Sequence, residues 1–241
     1  IPVDGVTPLA PTLDNLGFLA ESIEMMERAM AAVVISWNRG SVTRKQSLRI
    51  GIPRQWINDS RNDTRIHSRF SEIERALLSS GHTFVDFDVS IWEKLRETFF
   101  PIVLFEAWRV HGEMMEKNPK HFGEETRRLL ELSQNITRES YESALSARRE
   151  LLPQSQTIFD EVDLLMMPAV PYFPPETTPP LDSELGAYEG LYTEIFNVTG
   201  NPAVVMPATC QPISIGIQVV GPINGDRQLL DDAKAIDSHL Q

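Results

Sequence analysis

Cysteine is nearly absent from this 241-residue chain, which carries a single one, Cys210. One thiol cannot close an internal disulfide, so the fold must rest on its core, and the chain fits a reducing, cytoplasmic compartment. No apolar run is long enough to cross a bilayer as a helix, so a membrane is not among the expected partners. Positive charge is scarce as well: 22 Lys and Arg stand against 34 Asp and Glu, a formal charge of -12. A phosphate backbone needs concentrated Lys and Arg. The densest basic spots, Arg127-Arg128 and Arg148-Arg149, lie in acid-rich helical surroundings, so no nucleic-acid partner is expected. The histidines His67, His82, His111, His121 and His239 are scattered with no pair at ligand spacing, and read as surface or capping residues. There is no G-x-x-x-x-G-K-S/T, no G-x-G-x-x-G, no H-E-x-x-H and no G-x-S-x-G elbow, which excludes the common self-contained machineries. Against the cytoplasmic reading stand four Asn-x-Ser/Thr sequons, at Asn58, Asn62, Asn135 and Asn197, where about one is expected by chance.

What is present is an ordinary globular composition, long enough for one large domain or two small ones. Residues 1 to 20 read as loop, since proline and glycine recur too closely for a regular element. Ile23, Met26, Met30 and Val33 or Val34 form a helical stripe; Asn38 to Ser47 is a polar linker; Leu48 to Pro53 reads as a buried strand. A helix over about Asp63 to Ser80 presents Ile66, Phe70, Ile73 and Leu77, with Gly81 as its C-cap. The following strand sets Phe84 in and Asp86 out. Strand, helix, strand in this order predicts a parallel or mixed sheet covered by helices.

Residues 91 to 155 are helical and charged, with Thr137 as one N-cap. "FDEVDLLMMPAVPYFPP" is a strand entering a proline-rich excursion over Pro171 to Gly190, of the kind that forms lids, pocket walls or partner sites. Asp160, Glu161 and Asp163 read as a solvated turn, and Cys210 as a small buried side chain at a strand exit. Phe196 to Pro202 reads as a polar turn ahead of "AVVMPA", a strand packed inside a sheet, with "SIGIQVVGP" as the next strand. On these residues alone Asn197 and Thr199 either face a ligand or simply satisfy backbone groups. A last helix carries Leu229, Leu230, Ala233 and Ile236.

The segments "GVTPLAPTLDNLGFLAESIEMM", "LRIGIP", "FEAWRVHGEMMEKNPKHFGEETRRLLELSQNITRESYESALSARRELL", "FDEVDLLMMPAVP", "FNVTGNPAVVMPA" and "GIQVVGP" resemble, in that order, the C-terminal half of an amidase-signature hydrolase. The resemblance covers Ile1 to about Ile236 and implies an α/β/α sandwich around a large mixed, mostly parallel sheet, with residues 1–241 as part of a single domain. It also implies hydrolysis of a small carboxamide through a serine acyl-enzyme. In that family the nucleophilic serine, a second serine on a cis peptide and a general-base lysine lie in the first half. A neutral lysine takes a proton through the bridging serine while backbone N–H groups hold the oxyanion. Lys45, Lys94, Lys117, Lys120 and Lys234 do not match the lysine motif, so this chain is expected to hold no catalytic residue of its own. The partner implied is an N-terminal catalytic half, in the same chain before cleavage or in a second chain, and a homo-oligomer is compatible. No metal or organic cofactor is implied, because the serine–lysine chemistry needs none.

Carried over by position, Phe196, Asn197, Thr199 and Gly200 match the family's pocket-edge turn, Gly216 and Gln218 its P-x-G-x-Q strand, and Met167, Pro168 and Ala169 the strand end that lines its cleft. Arg148 matches an arginine that holds a substrate carboxylate in the amidotransferase branch; its alternative is a helix-surface pair with Glu142 or Glu150. Ser214 stands where the family has proline, the segment between Ala208 and Ser214 is short, and no acidic partner for the arginine stands near Tyr192. An inert amidase-like half in a binding or structural role, and an unrelated α/β binding protein, are the competing readings.

Overall fold

The computed structural model describes residues 1, 3–35, 37, 42–177, 179–180, 183–211 and 213–240. Five strands form one sheet in the order β2-β1-β3-β5-β4: β1 (Arg49–Ile52), β2 (Thr83–Asp86), β3 (Leu164–Pro168), β4 (Ala203–Ala208) and β5 (Ile215–Val220). β1 pairs in parallel with both β2 and β3, whereas β5 runs antiparallel to β3 and β4. Four strands therefore point one way and β5 the other, a mixed and mostly parallel sheet.

Side-chain alternation sorts the sheet into two buried faces. Ile50, Ile52, Leu164, Met166, Ile215, Ile217 and Val219 face one core, closed by α1 (Ile23–Val33), α3 (Thr64–Ser79) and α10 (Asp226–Asp237). Leu165, Met167 and Val220 face the other. That side is covered by α4 (Ser90–Arg96), α5 (Phe99–Lys117), α7 (Arg138–Gln156) and α9 (Glu194–Thr199), joined by the short α2 (Arg54–Ile57), by α6 (Glu124–Ser133) packed on α5, and by α8 (Glu184–Glu189). The result is the three-layer α/β/α arrangement that the family resemblance implied.

Helix α3 shows how local signals build a layer. Asp63 caps its start by accepting the Arg65 N–H at 2.9 Å, and the chain turns out at Ser80 and Gly81 where expected. Ile66, Phe70, Ile73 and Leu77 are buried at i, i+4, i+7 and i+11, one stripe on one face. Each such side chain contributes about 1.5–3 kcal/mol of transfer free energy. Thr137 likewise caps α7, its hydroxyl accepting the Ser140 N–H at 3.1 Å.

Several readings of the sequence change. Phe84 and Asp86 lie on the same face of β2 because they are two residues apart; Phe84 is half-buried, and Asp86 is exposed but pairs with Arg54 at 3.1 Å. β4 is an edge strand rather than a packed inner one: Ala203, Val205 and Pro207 are exposed and only the alternate residues Met206 and Ala208 are buried. Residues 196–199 belong to helix α9, not to a turn. Asp163 is no solvated turn residue, since it accepts the Arg49 N–H at 2.7 Å and pairs with Lys45 at 3.0 Å. Burial would raise its carboxyl, but those two partners outweigh it and hold Asp163 below the usual range. His82 is buried, with Nδ1 accepting the Leu48 N–H at 3.1 Å; burial and the facing His239 lower it. Cys210 is half-buried rather than buried. The excursion over 171–190 carries α8 and the buried Tyr188, which donates to Asn62 at 2.9 Å; residues 178, 181 and 182 lie outside the described residues, as do 38–41 of the polar linker.

Truncating Phe70, which is fully buried, to Ala is expected to cost about 3–5 kcal/mol, against under about 1 kcal/mol for exposed Leu78→Ala. Denaturant midpoints of the two variants check this, and equal midpoints would refute the assignment of the buried stripe.

Candidate functional site

The candidate residues fall into three neighbouring groups. The first is where β3 leaves the sheet. Ala169 donates its N–H to the Gly216 carbonyl at 2.8 Å, and Pro168 pairs with Ile217. A Cβ on Gly216 would stand 2.8 Å from Val205 Cγ1 and 2.9 Å from Ala169 Cβ, so the absence of a side chain is what lets three strands close up there. Ala169 is buried, Gly216 half-buried and Val205 52% exposed, so this corner of the sheet opens to solvent on the β4 side.

The second group lies beneath α9. Gln218, 2% exposed, sends its Nε2 to the Tyr192 carbonyl at 2.7 Å, while Met167 and Phe196 share the second core. Trp92 meets Phe196 edge-on with ring centroids 6.0 Å apart. α9 starts at the buried Glu194; burial pushes its carboxyl up, opposed by Arg96 at 3.0 Å. It ends because Gly200 takes φ +75 in the left-handed region and donates to the Phe196 carbonyl at 2.8 Å. Thr199 is 2% exposed, yet its hydroxyl oxygen has no hydrogen-bond partner among the described residues. An unmet buried hydroxyl costs about 1–3 kcal/mol.

The third group is polar. Arg148 Nε donates to the Val198 carbonyl at 2.7 Å and Nη1 to the Thr12 carbonyl at 3.3 Å. It pairs with neither Glu142, which binds Arg138, nor Glu150, whose carbonyl accepts from Gln154. Burial lowers the Arg148 guanidinium from its ordinary value and the nearby Glu106 partly restores it. Asn197 is exposed, but its Nδ2 donates to the Leu13 carbonyl at 3.2 Å. The structure thus joins Arg148 and Asn197 through the loop around Thr12 and Leu13.

Two surface grooves, of about 500 and 440 Å³, lie elsewhere: one between α3 and residues 209–211, the other beside Asp86, Asp88, Asp160 and Glu161. None of the ten candidate residues lines either. Among the described residues no group of three or more His, Cys, Asp or Glu is placed to hold a metal, and no helix is long and apolar enough to cross a membrane.

The family model for amidases matches residues 1–230. The chain belongs to the amidase family. It is 26% identical over 98% of its length to 2-amino-5-chloromuconic acid deaminase of Comamonas testosteroni, covering 54% of that protein. It is 24% identical to a glutamyl-tRNA(Gln) amidotransferase subunit of Halobacterium salinarum, again over 98% of this chain and 62% of the relative. A crystal structure of an amidase superposes on 97% of the chain and 55% of its own at a TM-score of 0.82 and 22% identity. An allophanate hydrolase of Kluyveromyces lactis does so over 98% and 41%, at 0.82 and 18%. These likenesses establish the amidase fold, and the chain spans about half the length of the curated relatives it matches.

Within this amidase-family chain several residues that organise the site escaped the sequence reading. Glu106 is buried within α5 and accepts from Thr12 and Tyr141. Asn201 and Gln156 exchange side-chain amide bonds at 3.0 Å, and Asn201 also donates to Gly221 at 2.7 Å, tying α7 to the start of β4. A signal for Glu106 existed: one acid inside "PIVLFEAW". For Thr12 and Asn201 nothing local marked the partner. Replacing Gly200 by Ala is expected to cost about 1–2 kcal/mol, because a Cβ disfavours positive φ. A shifted denaturation midpoint at unchanged m-value checks it, and a neutral substitution would contradict the left-handed end of α9.

Proposed function

We propose that residues 1–241 are the C-terminal portion of a single amidase-signature domain that hydrolyses a small linear carboxamide through a serine acyl-enzyme. In this reading the nucleophilic serine, the bridging serine and the neutral lysine come from a segment outside these 241 residues. This chain supplies one wall of the substrate site. The observation that carries the reading is the open corner of the sheet, where exposed Val205 and Pro207 on edge strand β4 adjoin Gly216 and, through it, Ala169. An unpaired edge with an apolar exposed face favours association with further chain. The unpartnered hydroxyl of buried Thr199 supports it too, as such groups are normally satisfied by something. Lys45, Lys117 and Lys234 are each engaged by a carboxylate, from Asp163, Glu113 and Glu27, and so are poor candidates for the general base.

Residue roles follow from placement. Met167, Pro168, Ala169 and Gly216 form the floor, with Gly216 keeping it flat. Gln218 and Phe196 brace α9 over that floor. Asn197, Thr199 and Gly200 form the rim, and Arg148 holds the rim through Val198 rather than reaching a substrate carboxylate in this arrangement. The nucleophile attacks the carboxamide carbonyl, the oxyanion is held by backbone N–H groups, the amine leaves, and water releases the acid.

The expected outcome is that a protein comprising this chain and the proposed catalytic segment hydrolyses a carboxamide, whereas the purified, mass-verified 241-residue chain does not. Turnover by the chain alone would end the divided-machinery reading, and inactivity of the whole protein on aliphatic, aryl and ureido amides would favour a binding role. In the active whole protein, Asn197→Ala is expected to lower kcat/KM by about tenfold, about 1.4 kcal/mol of transition-state stabilisation, with a smaller effect on Tm. Unchanged kinetics beside a large fall in Tm would make Asn197 a loop anchor only.

A further inference from the structure

The loop over residues 8–15 is held along its whole length by side chains from three helices. His111 on α5 meets the Pro8 carbonyl at 2.8 Å. The Asp14 carboxylate accepts the Leu9 and Ala10 N–H groups at 2.9 and 3.1 Å, closing the loop on itself. Glu106 on α5 accepts the Thr12 N–H at 2.9 Å and the Thr12 hydroxyl at 2.7 Å. Arg148 on α7 takes the Thr12 carbonyl, and Asn197 on α9 the Leu13 carbonyl. Ala10 and Leu13 are buried beneath. So much bonding on one irregular segment is more than burying one alanine and one leucine requires.

Glu106 is the centre of this arrangement. It is 6% exposed and sits in an apolar stretch of α5, where a carboxylate is stabilised only by donors aimed at it. Three donors reach it: two from Thr12 and the Tyr141 hydroxyl at 2.8 Å. Arg148 adds its charge from nearby, bonded at the same time to the Thr12 and Val198 carbonyls. Glu106 and Arg148 do not touch directly; Thr12 stands between them. A shift of Thr12 therefore moves the support of Val198, and with it the α9 rim that carries Asn197 and Thr199.

We propose that Glu106 is a positioning residue of the amidase site: through Thr12 and Arg148 it sets the register of the 8–15 loop against the C-terminal end of α9. The proposal rests on the functional reading above. The role of Glu106 differs from substrate contact, because both of its carboxylate oxygens are taken up by donors from Thr12 and Tyr141. Three separate elements converge on Thr12 and Leu13, so the loop and α9 are locked as one unit and the rim is pre-organised before substrate arrives.

The test uses the whole protein, including the proposed catalytic segment. Glu106→Gln keeps the shape but turns an acceptor oxygen into an amide that faces the Thr12 donors. It is expected to lower kcat about tenfold or more with KM changed less than about threefold, as loss of alignment rather than of binding requires. Met114→Ala, an exposed position on the same helix α5, is the control and should leave kcat within about threefold. Amide hydrogen exchange of residues 9–14 should rise about tenfold in Glu106→Gln while strand β5 keeps its protection. Raised exchange with unchanged kinetics would overturn positioning and leave a structural anchor, and unchanged exchange would overturn the clamp itself. Thr12→Val, which removes only the hydroxyl, replaces Glu106→Gln in the same assays if the latter does not fold. Should the wild-type whole protein hydrolyse no amide, the functional reading fails on its own, and exchange of residues 9–14 in Glu106→Gln alone decides the clamp.

Discussion

Every layer of this protein depends on strand β3 being buried on both faces and paired on both edges. All five residues of Leu164–Pro168 are buried, with β1 alongside in parallel and β5 antiparallel. A strand in that position must satisfy its backbone groups by ladder bonds alone, since water cannot reach them. Both faces must then be apolar, and "LLMMP" is apolar without alternation, as a doubly covered strand requires. Because β3 is fixed, its exit at Pro168 and Ala169 is fixed, and with it the corner where Gly216 and Val205 meet.

The polar residues around the site mainly address protein atoms. Arg148, Asn197, Gln218 and Asn201 each donate to a main-chain carbonyl, at Val198, Leu13, Tyr192 and Gly221. This is how an irregular segment can be both buried and fixed in position: its carbonyls lack ladder partners, so side chains from neighbouring helices supply the donors. Thr199 is the exception, and its unmet hydroxyl falls at the rim where the proposed substrate site opens. The uncovered face of β4 and the open corner above Gly216 lie on the same side of the sheet, so one added layer would cover both.

The elements carried by strong periodicity were legible without coordinates. Helix α3 and its four-residue stripe could be read directly, as could the β1–α3–β2 unit and strand β3, whereas the Asp63 cap came only with the coordinates. The misreadings have a common physical cause. Residues 196–199 looked like a turn because a six-residue helix is too short to show a 3.6 period, and Gly200 and Pro202 dominate its local signal. β4 looked like an inner strand because its β-branched composition records what it can pair with, not how many neighbours it has. His82 and Asp163 looked solvated because a buried polar group is betrayed only by its partners, and theirs lie 34 and 114 residues away.

Sequence alone determined the family through its motif order, with the three-layer architecture implied by that resemblance, and it determined the helices and strands of strong hydrophobic period, because these are local properties written in neighbouring positions. Tertiary structure decided what those residues do. It turned Arg148 inward to Val198, joined Thr12 to Glu106 across 94 residues, and left β4 as an edge. A donor finds its acceptor by proximity in space, and no pattern along the chain encodes that distance until the sheet has brought the segments together.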